Sequence, residues 1–359
     1  MRFVRTPFVG SLAVLMMVGA CAQNSENSAD SETVATPESA RAPFDSSMVL
    51  IEGGWFVMGS EEAFAEEHEG PAVRIEVSSF YIDPTEVTNA QYARFVEATG
   101  YVTLAERPLD WETLKKELPE GAPRPADSLL VPGALVFTPP TQAVPLDNIS
   151  GWWRWVPGTH WKAPEGPGST WKGREDHPVV HIAYEDALAY AQWAGKRLPT
   201  EAEWEYASRG SAEQARYSWG DEITPEGRYL ANFFQGDFPH RNTVADGFEC
   251  TAPARSFPPN QRGIYDMIGN VWEWTSDFYR PDTKTLYADG THCHNPKGPS
   301  ASFDPNDPYA SEKRVIKGGS FLCSEQYCSN YRPTSRMASS FDSGQSHLGF
   351  RCVRDLAQP

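Results

Sequence analysis

Cys323 and Cys328 close the stretch Gly318-Gly319-Ser320-Phe321-Leu322-Cys323-Ser324-Glu325-Gln326-Tyr327-Cys328. Two thiols at this spacing can be joined as a disulfide across a short loop, or they can stay reduced and hold a metal ion as thiolates. The four intervening residues exclude the simple thioredoxin-type CxxC arrangement. No histidine adjoins the pair, and zinc wants four ligands. The ion that suits two sulfurs alone is the soft, monovalent Cu(I). The N-terminus marks the chain as exported (below), and exported proteins favour disulfides, so on spacing alone a structural disulfide is the expectation.

Other candidate ligands are sparser. On a helix His177 and His181 would share a face, but Pro178, Val179 and Val180 between them favour a strand, which sets the rings about 13 Å apart. Packing and hydrogen bonding are their expected roles. His292-Cys293-His294 resembles a metal cluster in composition, yet no partner spacing supports it and a loop is expected there. Asn232, Asp246, Asp266 and Glu273 lie in Gly-rich or turn-like stretches, where carboxylates and bare carbonyls can surround Ca²⁺. Their spacing is not that of an EF-hand, and taken alone they read as solvated turns. The chain has no GxSxG elbow, P-loop or HExxH motif, which disfavours hydrolase, NTPase and zincin chemistry.

The elements that must position these residues follow from composition and caps. The 359 residues include 28 Gly and 30 Pro, which predicts many turns and loops, and 12 Trp in a 40% hydrophobic chain, which supplies a sizeable core. A net charge of -17 excludes a nucleic-acid partner, because a phosphate backbone needs clustered Lys and Arg. Arg2 and Arg5 precede a short apolar run from Phe8 to Ala20, ending Val18-Gly19-Ala20-Cys21. The run is too short for a stable membrane span and reads as a cleaved signal, residues 1–20. The small residues before Cys21 resemble a bacterial lipobox, which implies lipidation of Cys21 and a protein exported to the periplasm or cell surface. That lipid would be its sole membrane attachment. Residues 21–45 are polar and poor in aromatics, a flexible tether. Residues 46–359 are expected to form one domain.

Within that domain, Met48–Ile51 and Gly53–Gly59 read as a hairpin broken by Gly-Gly, and Val73–Tyr81 as a further strand. Thr88-Asn89-Ala90-Gln91 and Thr200-Glu201-Ala202-Glu203 are capping boxes for helices ending before Gly100 and toward Gly210. A third helix is expected over Glu185–Trp193, with Ala187, Tyr190, Ala191 and Ala194 on one face. Residues 107–180 have poor periodicity but carry Trp152, Trp153, Trp155, Trp161 and Trp171, so the segment should be loop-like yet packed. With Cys21 consumed, five cysteines remain, and at least one is unpaired unless the protein dimerises covalently.

From about Met48 to Asp355 the sequence resembles the formylglycine-generating enzymes, or sulfatase-modifying factors. The resemblance runs through MVLIEGGWFVMGS (48–60), DPTEVTNAQYARFVEATGYVTLAE (83–106), HPVVHIAYEDALAYAQWAGKRLPTEAEWEYASRG (177–210), GNVWEWTSDFY (269–279) and RVIKGGSFLCSEQYCSNYRPTSRMASSFDSGQSHLGFRCVRD (314–355). More selective than these shared stretches are the cysteine pair after Gly-Gly-Ser and WWRWVPGTHWKAPEGPGS (152–169). The resemblance implies an α+β fold, a single large domain with little regular secondary structure around a C-type-lectin-like core. It reverses the disulfide expectation, implying that Cys323 and Cys328 bind Cu(I). An unfolded sulfatase polypeptide would supply a cysteine in a Cys-x-Pro-x-Arg motif as third sulfur ligand. With O2 as co-substrate, a hydrogen would be taken from that cysteine's Cβ and the thioaldehyde hydrolysed to the aldehyde.

By the same resemblance Ser320 is an active-site serine and Trp272 lines the oxygen and metal pocket, while Tyr327 falls in the loop without an assigned role. One Ca²⁺ would use Asn232, the Phe233 carbonyl, Asp246 and the Phe248 carbonyl. A second would use Asp266, the Gly269 and Val271 carbonyls and Glu273. Three departures stand out. His347 replaces an asparagine of many active members, Ser324 and Glu325 replace a basic pair, and Ser208 replaces the partner that Cys352 has in animal relatives, leaving Cys250 and Cys293 open as partners. The competing expectation is a non-catalytic lipoprotein that uses the same scaffold for binding or surface assembly, though such members usually lack the cysteine pair. Iron-dependent sulfoxide synthases would need a histidine triad that is not found here.

Overall fold

The computed structural model describes residues 47–356, apart from 109–110, 116–122, 128–129, 211–213, 289, 291–292 and 308–310. The signal at 1–20, Cys21, the whole of the tether and His292 lie outside the described residues.

The chain opens with β1 (Val49–Ile51) and β2 (Gly54–Met58), and these do not pair with one another. β1 runs antiparallel to β4 (Phe80–Ile82), whose other edge takes β13 (Val353–Asp355) from the far end of the domain. β2 instead pairs with β3 (Val73–Val77). The expected hairpin is therefore a hinge between two sheets, and the expected 73–81 strand is two strands broken at Ser78-Ser79. The cause is steric and apolar together. A Cβ on Gly53 would sit 2.5 Å from the Val77 carbonyl oxygen, so the chain can pass there only as glycine, and each apolar run then buries its alternate residues against a different neighbour. Ile51, Phe56, Met58, Ile75 and Ile82 are all buried as a result.

The capping boxes set the helices where expected. Thr88 accepts from Gln91 N, and α1 (Asn89–Thr99) stops at a left-handed Gly100. After the short α2 (Trp111–Leu114) comes the hairpin of β5 (Gly133–Phe137) and β6 (Trp153–Pro157). α3 (Tyr184–Trp193) buries Ala187, Tyr190 and Ala191, and α4 (Glu201–Arg209), capped by Thr200, is buried along its whole length. The tryptophan-rich segment is packed at Trp152 and Trp161, but Trp155 projects into solvent at 42% exposure. Residues 177–181 form no regular strand. Pro178 has no N–H to give a ladder, and His181 turns the chain with φ 60°.

The site is carried on a four-stranded sheet ordered β11-β10-β9-β12, made of β9 (Trp272–Phe278), β10 (Lys313–Lys317), β11 (Arg336–Ser340) and β12 (Leu348–Gly349). A small hairpin, β7 (Gly236–Asp237) and β8 (Arg241–Asn242), and a short helix, α5 (Thr283–Tyr287), complete the elements. The result is α+β with much of the chain in loops. Between α4 and the sheet lies a buried ionic cluster. Arg336 holds Glu201 through two bonds of 2.7 Å, and Lys284 reaches it at 3.5 Å. Glu205 takes Arg209 at 2.9 Å and Lys317 at 3.3 Å. Burial alone would push these carboxyls up, but Arg336, Lys284 and Lys317 pull Glu201 well below the usual range.

Candidate active site

The cysteine loop leaves β10 through Gly318 and Gly319, both with positive φ. At Gly319 (φ 75°) a Cβ would come within 2.9 Å of the Tyr331 backbone, so the loop can return past its own start only with glycine there. Ser320, fully buried, accepts Leu322 N on its Oγ at 3.2 Å, and its carbonyl takes Cys323 N at 2.9 Å. Ser324 then accepts Cys328 N at 2.9 Å. These turns bring Cys323 Sγ and Cys328 Sγ to 2.7 Å, in contact but not bonded. Both are free thiols, as are Cys250, Cys293 and Cys352. Ser208 Oγ faces Ser218 Oγ at 3.3 Å.

The pair titrates as one unit. Burial pushes the Cys323 thiol well up, and the neighbouring Cys328 adds to it. Cys328 is lowered, first by the hydrogen bond from Cys323 and then, against its burial, by Asn330. One proton thus stays on Cys323 while Cys328 is the readier thiolate, the form that binds metals and attacks sulfur.

Aromatic side chains from distant segments hold the loop. Tyr327 stacks on Phe238 at 4.9 Å with planes 6° apart and meets Trp152 edge-on at 5.2 Å. That gives Tyr327 the role its position in the sequence did not suggest, and it makes Trp152 a support of the site. Trp272 is buried in the same cluster as Cys323, and its backbone N–H donates to the His347 carbonyl at 2.8 Å. His347 packs on Trp153 at 4.8 Å, and burial first, then His181, pushes its ring down to about 3, so it is neutral. His181 Nε2 bonds the Pro164 carbonyl at 2.8 Å and His177 Nδ1 meets Thr251, so these two are structural. Among the described residues no group of three or more His, Cys, Asp or Glu is arranged to hold a metal ion.

The two oxygen-rich clusters differ. Asp246 Oδ2 accepts Phe233 N at 3.0 Å, and its Oδ1 accepts Phe248 N at 2.9 Å. Beside them Asn232 Oδ1 is buried without a partner. In the second cluster Glu273 is already spent, on Arg351 at 2.6 Å and on Trp204 Nε1 at 2.7 Å. Asp266 lies close by with its carboxyl pushed up to about 6, by burial foremost. Glu86, absent from the sequence-derived set, completes this group. Its Oε1 accepts Asn270 Nδ2 at 3.0 Å, its Oε2 has no partner, and burial followed by Asp266 pushes it well above the carboxylate range. No local pattern around Glu86 or Arg351 points to this meeting, because the two come from opposite ends of the domain.

Residues 33–356 match the family described as the sulfatase-modifying factor enzyme 1-like domain. A formylglycine-generating enzyme of Thermomonospora curvata is 46% identical over 310 residues, 86% of this chain and 93% of that protein. One from Mycobacterium tuberculosis is also 46% identical, over 308 residues, 86% of this chain and 97% of that protein. Among solved structures, PvdO from Pseudomonas aeruginosa aligns with a TM-score of 0.50 at 23% identity, covering 86% of this chain and 94% of that one, a likeness of fold.

Proposed function

The chain belongs to the sulfatase-modifying factor family, and from that membership we propose that it oxidises a cysteine in sulfatase polypeptides to formylglycine. The observation that carries the reading is the convergence of Cys323 and Cys328 as free thiols in a loop braced by Tyr327, Phe238 and Trp152. Relatives named for this activity, similar over nearly their whole length, support it.

The donor set fits Cu(I). Two sulfurs in contact, one already the readier thiolate, stand in an apolar surround with no histidine or carboxylate cluster to favour a divalent ion. Bound by Cys323 and Cys328, Cu(I) would supply the one-electron chemistry with O2 that no side chain of this chain offers. The residues themselves do the rest. Trp272 and the core around Cys323 exclude water from the inner face, and Ser320 fixes the loop from beneath. Cys328, on the more open side, is placed to meet the cysteine of an unfolded Cys-x-Pro-x-Arg segment. Removal of one Cβ hydrogen and the thiol proton from that cysteine, with two electrons passing to O2 as the oxidant, would leave a thioaldehyde, which water converts to the aldehyde with release of hydrogen sulfide.

Ca²⁺ is proposed at the Asn232, Phe233, Asp246 and Phe248 cluster, where the orphan Asn232 Oδ1 supplies an acceptor in want of a cation. In the set of Asp266, Gly269, Val271 and Glu273 it is Glu273 that is taken, by Arg351 and Trp204, as Gln235 Nε2 takes Asp246 Oδ2 at 2.7 Å and the Phe233 carbonyl in the first set. An exported, Cys21-lipidated protein is proposed from the N-terminal sequence, with detection of a diacylated N-terminal peptide by mass spectrometry as its test. No helix among the described residues is long and apolar enough to cross a membrane.

The oxidation is tested with purified protein, Cu(I), O2 and a Cys-x-Pro-x-Arg peptide, following thiol-to-aldehyde conversion by mass spectrometry. One Cu(I) per chain, lost in Cys328→Ser, is the parallel binding result. No conversion with the ion loaded, or full conversion by Cys328→Ser, would sink the proposal. Titration of native thiols reports whether the pair rests reduced in an oxidising compartment.

A further inference from the structure

The loop between β2 and β3 faces the loop after β9 across a cavity of about 790 Å³. Glu61, Glu62, Glu66 and Glu67 line it from the first loop, and all of them are exposed. Among the described residues Glu61, Glu62 and Glu67 form no ion pair, while Glu66 meets the His68 ring at 3.6 Å. Asp282, on the facing loop, is already held by Arg280 at 2.9 Å. The loop that displays the free carboxylates is fixed at its base. Ser60 N donates to the Glu69 carbonyl at 3.1 Å across the neck, and the buried Arg332 donates to the Phe64 carbonyl at 2.6 Å.

Exposed carboxylates on their own describe a solvated face. The opposite wall adds an observation that points to a ligand. Tyr279 lines the cavity although only 8% of it is exposed. Its ring is locked, with the Arg336 guanidinium over one face at 5.3 Å and the His68 ring edge-on at 6.3 Å. Its hydroxyl has no hydrogen-bond partner among the described residues. Buried phenols are usually satisfied, so this one marks a place where a polar group arrives from outside.

The kind of ligand follows from what the walls lack. A compact divalent ion needs several ligands converging on one point, and among the described residues no group of three or more His, Cys, Asp or Glu is arranged to hold one. A peptide would bring backbone N–H and C=O groups, and none of the residues lining the cavity belongs to a β-strand whose edge could pair with them. What fits is positive charge spaced along an apolar stem. We propose that the cavity binds a linear aliphatic polyamine. Its ammonium groups pair with Glu61, Glu62, Glu66 and Glu67, one of them donating to the Tyr279 hydroxyl, and its methylenes lie over Pro71, Pro281 and Pro305. One exposed ion pair adds little, so the affinity comes from several pairs joined by one stem. The net charge of -17 concentrates such cations near the surface. None of these residues belongs to the cysteine loop, so the inference stands apart from the oxidation.

The test titrates spermidine calorimetrically against the full chain at low ionic strength, where exposed pairs are least screened. Saturable binding of one spermidine per chain is expected, about tenfold tighter than the diamine putrescine. The double variant Glu62→Gln/Glu67→Gln should weaken it about tenfold, and Tyr279→Phe about two- to threefold. A control of equal charge change outside the cavity, Glu97→Gln/Asp147→Asn, should alter it by less than about twofold. If the control weakens binding as much as the cavity variant, the protein holds only a diffuse ion atmosphere and the proposal is overturned. Displacement of spermidine by an equal charge concentration of Mg²⁺ overturns it too. So does tighter binding of tri-lysine, which would assign the cavity to a basic peptide. A second measurement needs no variant. Carbodiimide coupling, read by peptide mass spectrometry, should join spermidine to Glu61, Glu62, Glu66 or Glu67 ahead of other exposed carboxylates, and coupling spread evenly over the surface refutes the site.

Discussion

Around α4 the buried charges are matched against one another. Glu201 and Glu205 face Arg336, Lys284, Lys317 and Arg209, and every one of these side chains has an opposite charge within 3.5 Å. Around the cysteine loop the buried polar atoms are left unmatched: Ser324 Oγ, the Tyr331 hydroxyl, Asn232 Oδ1 and His347 Nδ1 all lack partners. The atoms in both regions are buried, and a buried polar atom without a partner is costly. The difference teaches where each part of the molecule spends its stability. The α4 cluster pairs every charge with an opposite one, leaving only Arg209 Nη1 buried without a hydrogen bond. The cysteine loop keeps open valences, and it is held in place by apolar stacking instead.

That contrast is broken most sharply by changing one group on each side. Cys328→Ser should lower formylglycine formation by about a thousandfold or more, as expected when a unit that acts only as a pair loses a member. Its melting temperature should stay within the change expected for about 1 kcal/mol, because the side chain is half-buried and serine can keep the hydrogen bond to Asn330. Glu201→Gln should do the reverse. It leaves Arg336 and Lys284 buried without their anion, which costs about 3–5 kcal/mol of stability by denaturant unfolding. Activity per folded molecule should be kept. A Cys328→Ser protein that unfolds, or a Glu201→Gln protein as stable as wild type, would erase the distinction.

How much of this was legible in advance divides along the same line. The helices α1 and α4 were readable because their signals are local: a threonine that caps its own third residue, and a glycine where the helix must end. The cysteine pair was readable because five positions of chain fix its reach, though its chemistry came from resemblance and not from spacing. The partners of β1 were not readable, since Gly53-Gly54 looks like a turn unless Val77 is known to lie against it. Nor was the stack of Tyr327 on Phe238, nor the approach of Glu86 to Asp266 and Arg351. Those contacts join segments 89 to 265 positions apart, and no periodicity in either segment announces the other. The orphan hydroxyls are a property of what is missing around them, which only packing reveals.

A third variant tests whether the α4 cluster is as closed as its geometry suggests. The Asp277 carboxyl, whose Oδ2 accepts Glu201 N at 2.9 Å, is pushed up to about 7 by burial first and by Glu201 second. A folded value above the unfolded 3.8 means that the native protein holds a proton the unfolded chain gives up. The stability from that proton is full below about pH 4 and is lost as the pH rises through 7. Glu201, with its folded value depressed, works in the opposite sense, adding stability above the unfolded 4.5 that is lost on acidification. Asp277→Asn should therefore gain roughly 1–3 kcal/mol over wild type at pH 8 and little at pH 4. Taking the difference between the two unfolding curves across pH isolates this group from His181 and His347. A difference that does not change with pH would mean that Asp277 is ionised and matched like its neighbours.

The smallest effect probes what replaces ion pairing on the other side. Tyr327, 41% exposed, makes two ring contacts, with Phe238 and with Trp152, and no hydrogen bond from its hydroxyl among the described residues. Aromatic pairs of this geometry contribute about 0.5–1.5 kcal/mol beyond their buried area. Removing the ring frees the segment that carries Cys328, so Tyr327→Ala should lower kcat/KM by about three- to tenfold, with global stability moved by no more than about 1 kcal/mol. Tyr327→Phe keeps both contacts and should match wild type. If the phenylalanine variant is as impaired as the alanine one, the hydroxyl and not the stack is what the loop needs, and the site is held by polar contacts after all.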